Sequence, residues 1–223
     1  MAVLINKIDE LTEDDHYHIT KDDKCYYFIE YPSGNAKENL TNPDYSYIHN
    51  FKKTLDRKGT QQWYWKGDAI SKTITLFEQF FRRQNTIGKH TLVPIPPSKN
   101  KSNPLYDDRM SQVLSSLAKK FNNADFRELI LTKEDMAASH ETSVRPTIQE
   151  IKSNYLLDVN LIDGCRKSII LFDDVLTSGT HFCAARELIS ERIPNCSVKG
   201  IFIARRILPN PAFDFDDDFE LVF

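Results

Sequence analysis

The chain has 223 residues, 40% hydrophobic and 27% charged, a balance that favours folding around a core over disorder. Its net charge of −3 gives no global case for nucleic-acid binding, and no apolar run approaches the roughly 20 residues that span a bilayer. Four cysteines without metal-site or paired spacing (Cys25, Cys165, Cys183, Cys196), and a first segment, MAVLINKIDELTEDDHYH, that turns acidic where a signal peptide stays apolar, read as a cytoplasmic protein with reduced thiols.

In chain order, CYYFIEY (25–31) is aromatic and β-branched, closes on Pro32, Ser33 and Gly34, and predicts a strand. A short helix fits within NPDYSYIHNFKKTLDRKG. From Asp68 as N-cap, Ile70, Ile74, Phe77 and Phe81 recur at helical spacing to about Arg83. The cations Lys52, Lys53, Arg57, Lys58, Arg82 and Arg83 read as the solvated side of these two helices. HTLVPIPPSKNK predicts a short strand broken by Pro94, Pro96 and Pro97. Met110, Val113, Leu114, Leu117, Ala118 and Phe121 mark a core-facing helix. RELILTK predicts a strand, and AASHETSVRPTIQEIKSNY a loop leading into a short helix after Pro146. KSIILF is a continuous apolar run suited to a buried parallel strand; Phe182, Ala185, Leu188 and Ile189 suggest a helix, and SVKGIFIARR a strand. From Leu92 onward this alternation predicts an α/β domain with a parallel sheet. The tail PNPAFDFDDDFELVF mixes acids with Phe213, Phe215, Phe219 and Phe223 and reads as an edge strand or a partner-binding segment.

The chemistry concentrates in IILFDDVLTSGTHF (169–182). If Ile169–Phe172 is a central strand, Asp173 and Asp174 lie at its carboxyl end, where open α/β sheets bind ligands. Thr177, Ser178, Gly179, Thr180 and His181 then turn into a helix, aiming backbone N–H groups and hydroxyls at one spot suited to a phosphate. Carboxylates beside an anion cradle repel the anion unless they grip something between, and the vicinal hydroxyls of a ribose meet that need. The pattern describes a pentose 5-phosphate.

This stretch resembles the phosphoribosyl-pyrophosphate (PRPP) motif of type I phosphoribosyltransferases: Asp173, Asp174, Val175, Thr177, Ser178 and Gly179 match it, while His181 stands where the family usually has a hydroxyl. As imidazolium, His181 would add a charge-assisted bond to the phosphate. LVPIPPSKNKSNPLYDDRM resembles the strand and pyrophosphate loop of the same family, in its ComF-like branch. Ser98, Lys99 and Lys101, with Arg109 as a further candidate, would hold the leaving pyrophosphate, whereas Asp107 and Asp108 read as helix caps. SHETSVRPTIQEIKSNY sits where the family carries a mobile loop, with Arg145 and His140 as the residues to test.

The resemblance covers about Leu92 to Arg206. It implies a type I phosphoribosyltransferase-like parallel sheet flanked by helices over 90–208, preceded by an N-terminal mixed α+β hood or cap over 1–89 and followed by the acidic aromatic tail over 209–223. CYYFIEY and Trp63, Tyr64 and Trp65 would contribute to the hood, where aromatic faces stack a base. The implied activity is Mg²⁺-dependent transfer of the phosphoribosyl group of PRPP to a nitrogenous base, releasing pyrophosphate. Asp173 and Asp174 would orient the ribose and meet the metal, Arg145 would act at the reacting centre, and a homodimer is the family's frequent state. The alternative expectation is a non-catalytic PRPP- or nucleotide-binding sensor or regulator, within a defence or nucleic-acid-processing operon.

Overall fold

The computed structural model describes residues 4–10, 12–32, 41–136 and 145–208. A six-stranded central sheet forms from β1 (Asn6–Lys7), β2 (Cys25–Pro32), β3 (Thr91–Pro94), β4 (Asp125–Phe126), β7 (Ser168–Leu176) and β8 (Ser197–Ile207), in the order β1-β2-β8-β7-β3-β4. All neighbours are parallel except the short edge pair β1–β2. A separate antiparallel ribbon joins β5 (Ile130–Thr132) to β6 (Tyr155–Leu157).

Side-chain alternation along β7 builds two cores. Ile169 and Leu171 pack on the face covered by α4 (Ile148–Asn154) and α5 (Thr180–Arg192), beside Ile151, Phe182 and Ile189. Ile170 and Phe172 face α1 (Pro43–Phe51), α2 (Gln61–Gln84) and α3 (Arg109–Ala118), beside Phe51, Phe77, Phe81 and Leu117. Strands buried on both faces need no polar alternation, which is why KSIILF reads as an unbroken apolar run.

The α/β class with a mostly parallel sheet is as expected; two element assignments differ. Helix α2 starts at Gln61 rather than Asp68, because its buried row runs Lys66, Ala69, Thr73, Phe77, Phe81 and a lysine at its head hides the pattern. Asp68 caps nothing there and pairs instead with Lys72 one turn on. RELILTK supplies no strand to the central sheet: Ile130–Thr132 pairs with Tyr155–Leu157, and the sheet's edge strand is Asp125–Phe126. The short helix expected after Pro146 is present as Ile148–Asn154. Its start is fixed by a capping box between Thr147 and Glu150.

Cys25–Pro32 is a strand as read, but it is a sheet neighbour of β8 with Cys25, Tyr27 and Phe28 buried in the cores rather than part of a hood. Residues before 90 therefore share one sheet with those after it. Of the aromatic cluster, Trp63 is half-buried with the Lys66 ammonium 5.7 Å from its ring centre, while Tyr64 and Trp65 are exposed. The edge strand read into the tail and His140 lie outside the described residues. No described helix is long and apolar enough to cross a membrane.

Candidate functional site

The connection from β3 runs through α3 to β4 on one side, and that from β7 runs through α5 to β8 on the other. Adjacent strands whose crossovers depart in opposite directions open a crevice at their carboxyl ends. Pro94, Ile95, Pro97, Asp107, Arg109, Asp173 and Asp174 line a cleft there.

Asp174 points toward α1–α3 and is engaged by cations. Arg109 grips it through both Nε (3.1 Å) and Nη2, and the Lys52 ammonium lies 3.4 Å from its other oxygen. The same guanidinium donates Nη1–H to Asp107 at 2.6 Å, and Asp107 in turn accepts from Lys66 at 2.7 Å. Lys66 is 1% exposed and also donates to the carbonyls of Phe51 and Lys53, which ties the end of α1 to this network and brings Lys52 over the site. Burial alone would raise the Asp174 pKa, but Lys52 and Arg109 outweigh it and hold the carboxyl far below its usual range. Burial of Arg109 is likewise overcome by Asp174 and Asp107, so its charge is locked on. Asp107 is thus an ion-pair hub rather than a simple cap. Asp108 stands at the N-cap position without capping a backbone N–H.

Asp173 has the opposite environment. Its one contact among the described residues is the backbone N–H of Asp174, 2.7 Å from Oδ1. Burial, and then the charge of Asp174, push its pKa up to about 7. Tyr155, whose own pKa is raised by burial and then by Asp173, donates toward or accepts from His181 Nδ1 at 2.7 Å. Burial lowers His181 to about 4 against the pull of Asp174. The expected imidazolium is therefore a neutral ring at physiological pH, held by Tyr155.

The turn between β7 and α5 has the geometry of an anion cradle. Gly179 occupies the N-cap position of α5 at φ +88°, and no side chain caps the helix. A Cβ at this glycine would sit 2.6 Å from Ile19 Cδ1, so both backbone conformation and space demand glycine. Ser178 and Thr180 are buried and share a hydroxyl hydrogen bond of 2.7 Å, while Thr177 is exposed. The backs of these residues are latched by an N-terminal segment: His16 Nδ1 bonds the Thr177 carbonyl and the His18 N–H donates to the Ser178 carbonyl at 3.0 Å. The Cys183 thiol donates to the His18 carbonyl at 3.2 Å. Carbonyls that would repel an anion are thereby turned away from the helix terminus.

Ser98, Lys99 and Lys101 lie on the loop after β3, which the β5–β6 ribbon scaffolds through Thr132 Oγ1 to the Pro97 carbonyl (2.7 Å) and Asn100 Nδ2 to the Thr132 carbonyl (2.7 Å). Lys101 is ion-paired with Glu128 at 2.7 Å, and the charge of Lys99 falls on Asp135. Among the described residues neither meets Asp173 or Asp174; Arg109 and Lys52 do. Arg145 is exposed and its charge acts on Arg206 at the end of β8. Asp174 is engaged by cations, and no group of three or more His, Cys, Asp or Glu side chains that could hold a metal occurs among the described residues.

Neither a family model nor a curated protein matches the chain. Sequence reasoning missed Lys52, Lys66, Tyr155 and His16. Lys66 had one available signal, a cation inside an otherwise apolar helical row; Lys52 reads as solvated until Lys66 is seen to anchor the backbone beside it.

Proposed function

We propose that the chain binds a pentose 5-phosphate at the end of β7 and transfers the phosphoribosyl group of PRPP to a nitrogen nucleophile in the cytoplasm, on a type I phosphoribosyltransferase-like fold. The observation that carries the reading is the union, at one crevice, of an unpaired Asp173 with the uncapped, glycine-initiated start of α5. Asp173 accepts hydrogen bonds from the vicinal hydroxyls of the ribose. The N–H groups from Gly179 to His181, with the hydroxyls of Thr177, Ser178 and Thr180, take the 5-phosphate. In the transfer, the bond from C1 to the pyrophosphate oxygen breaks as the bond from C1 to nitrogen forms, and the nucleophile's proton leaves to solvent. Positioning and electrostatics suffice for this step.

Arg109 and Lys52 stand beside the cleft as cations able to exchange Asp174 for developing charge on the leaving group, with Ser98, Lys99 and Lys101 on the adjoining loop. Mg²⁺ bound to the diphosphate would neutralise its charge, and Asp173 is the carboxylate that would hold it. Arg145 belongs to the rim in this reading rather than to the reacting centre.

Calorimetric titration of PRPP, with and without Mg²⁺, tests the proposal. Asp173→Asn is the control of choice, because Asp174 also carries structural ion pairs. Binding that falls at least about tenfold in the variant, followed by pyrophosphate release with one of a panel of bases, supports transfer. Equal binding by the variant overturns it. A sensor that binds without chemistry is favoured by one observation: Asp174 is already occupied by Arg109 and Lys52, and a ligand must displace them to use it. Tight PRPP binding with no pyrophosphate release from any base would establish that second reading.

A further inference from the structure

At the carboxyl end of β8 lies Arg206, and the charge of Arg145 acts on it; neither has an ion pair among the described residues. The β7–β8 register sets Arg205 opposite Leu176, the last residue of β7, so Arg206 is the next residue on β8 where β7 gives way to the turn. Arg205 is saturated: Nε and Nη2 reach Glu30 at 3.0 and 2.6 Å, and Nη1 reaches Asp15 at 3.0 Å. Arg206 forms no ion pair among the described residues, and its Nε–H is buried without an acceptor. An orphaned buried donor forfeits the hydrogen bond it would make with water and is costly to keep. The strongest external charge on this guanidinium is another cation, Arg145, while the nearby Asp15 is already held by Arg205. A water molecule would satisfy the N–H but leave the repulsion between two guanidiniums untouched. An anion with several acceptor oxygens answers both, and the planar guanidinium fork matches phosphate geometry.

We infer that Arg206 and Arg145 form an anion subsite beside the Thr177–Gly179 turn that takes a phosphoryl group additional to a pentose 5-phosphate. The inference rests on the proposed function only for what occupies the turn; the two arginines bind their anion whether or not a pentose is present. The subsite lies on the opposite side of the turn's strand pair from the cleft lined by Arg109, since β8 and β3 flank β7 on its two edges. It therefore extends the ligand at its 5-phosphate end and is distinct from the place assigned to the leaving pyrophosphate.

The test titrates inorganic phosphate into the full chain at low ionic strength, first alone and then with ribose 5-phosphate saturating the turn. The expected result is phosphate binding that persists beside ribose 5-phosphate and weakens at least about tenfold in Arg145→Gln/Arg206→Gln. If ribose 5-phosphate fails to bind but phosphate still binds and is lost in the double variant, the pentose reading fails and the subsite stands. Phosphate affinity unchanged in the double variant overturns the subsite. So does phosphate binding seen only after Asp214, Asp216, Asp217 and Asp218 are changed to Asn, which would make the chain's own acidic tail the occupant. Circular dichroism of the double variant, expected to match the native chain because neither arginine has an ion pair among the described residues, guards against misfolding as the cause.

Discussion

Asp173 and Asp174 are adjacent on one strand, yet one is built into the fold and the other is kept free. Asp174 faces the helices α1–α3, where Arg109, Lys52, Asp107 and Lys66 knit a buried network of alternating charge. Asp173 faces Tyr155 and the turn into α5, with no ion pair among the described residues and a pKa that burial, then the Asp174 charge, raise to about 7 against the pull of Lys52 and Arg109. Alternation along a strand sends neighbours to opposite faces, so a doublet of like charges can serve two purposes where a single residue serves one. The lesson is that a matched acidic pair in sequence need not be a matched pair in space: Asp174 anchors the cations, and in the proposed reading Asp173 is the group left to meet a ligand.

The largest break in this symmetry comes from Arg109→Met. It strips Asp174 and Asp107 of their shared guanidinium, and removing one partner of a buried network costs about 3–5 kcal/mol. At about 2–4 °C per kcal/mol for a chain of this size, the melting temperature falls by on the order of 10 °C. Asp173→Asn leaves no charge unpaired and produces no such loss. Equal destabilisation by the two substitutions would erase the distinction between the carboxylates.

Gly179→Val probes the ligand side with a smaller effect. A β-branched residue at φ +88° is strained, and its Cβ meets Ile19, so destabilisation of about 1–3 kcal/mol is expected, read by urea titration. The accompanying Ile19→Ala should recover the part due to the clash and none of the part due to backbone strain.

The pH dependence separates the two carboxyls by sign. Burial, then the Asp174 charge, make the folded state hold the Asp173 proton more tightly than the unfolded chain does. Its contribution is complete below the usual carboxyl pKa and is lost as pH rises toward about 7. Asp174, held far down by Lys52 and Arg109 against its burial, contributes stability above the usual carboxyl pKa that is lost on acidification. Asp173→Asn should therefore gain melting temperature relative to the native chain at pH 8 and not at pH 4. Melting curves that stay parallel across that range contradict the raised pKa.

These contrasts follow how far the sequence was legible. The strand–turn–helix from Ile169 to Ile189 could be read because its signals are local: an apolar run, a glycine, a helical apolar row. The pairing of Asp174 with Arg109 spans 65 positions, with Lys52 122, and the His16 latch on Thr177 161, and no local pattern reports contacts closed by the sheet. Short strands such as Asp125–Phe126 and Tyr155–Leu157 escaped for a related reason, since two or three residues carry no period of their own and are fixed by the neighbours they pair with. Lys99 and Lys101 had the right composition for a cationic loop, but Glu128 and Asp135 lie within reach of them and composition alone does not show it.

The smallest expected effect is on Lys52, and it sharpens the comparison most. Its side chain is 46% exposed and 3.4 Å from Asp174, so Lys52→Gln should cost no more than about 1 kcal/mol, the value of a solvent-screened pair. Lys52 nevertheless lowers the pKa of both aspartates, and its loss leaves Asp173 opposed by burial and Asp174 with Arg109 as the remaining counterweight. Carboxyl ¹³C titration should then show the Asp173 midpoint moving upward from about 7 in the variant while the fold is unchanged. A midpoint that stays in place would mean that Lys52 is a surface charge, as its neighbours in sequence suggest. A shifted midpoint would mean that α1, outside the strand–turn–helix motif altogether, tunes how much of Asp173 is ionised to receive a ligand.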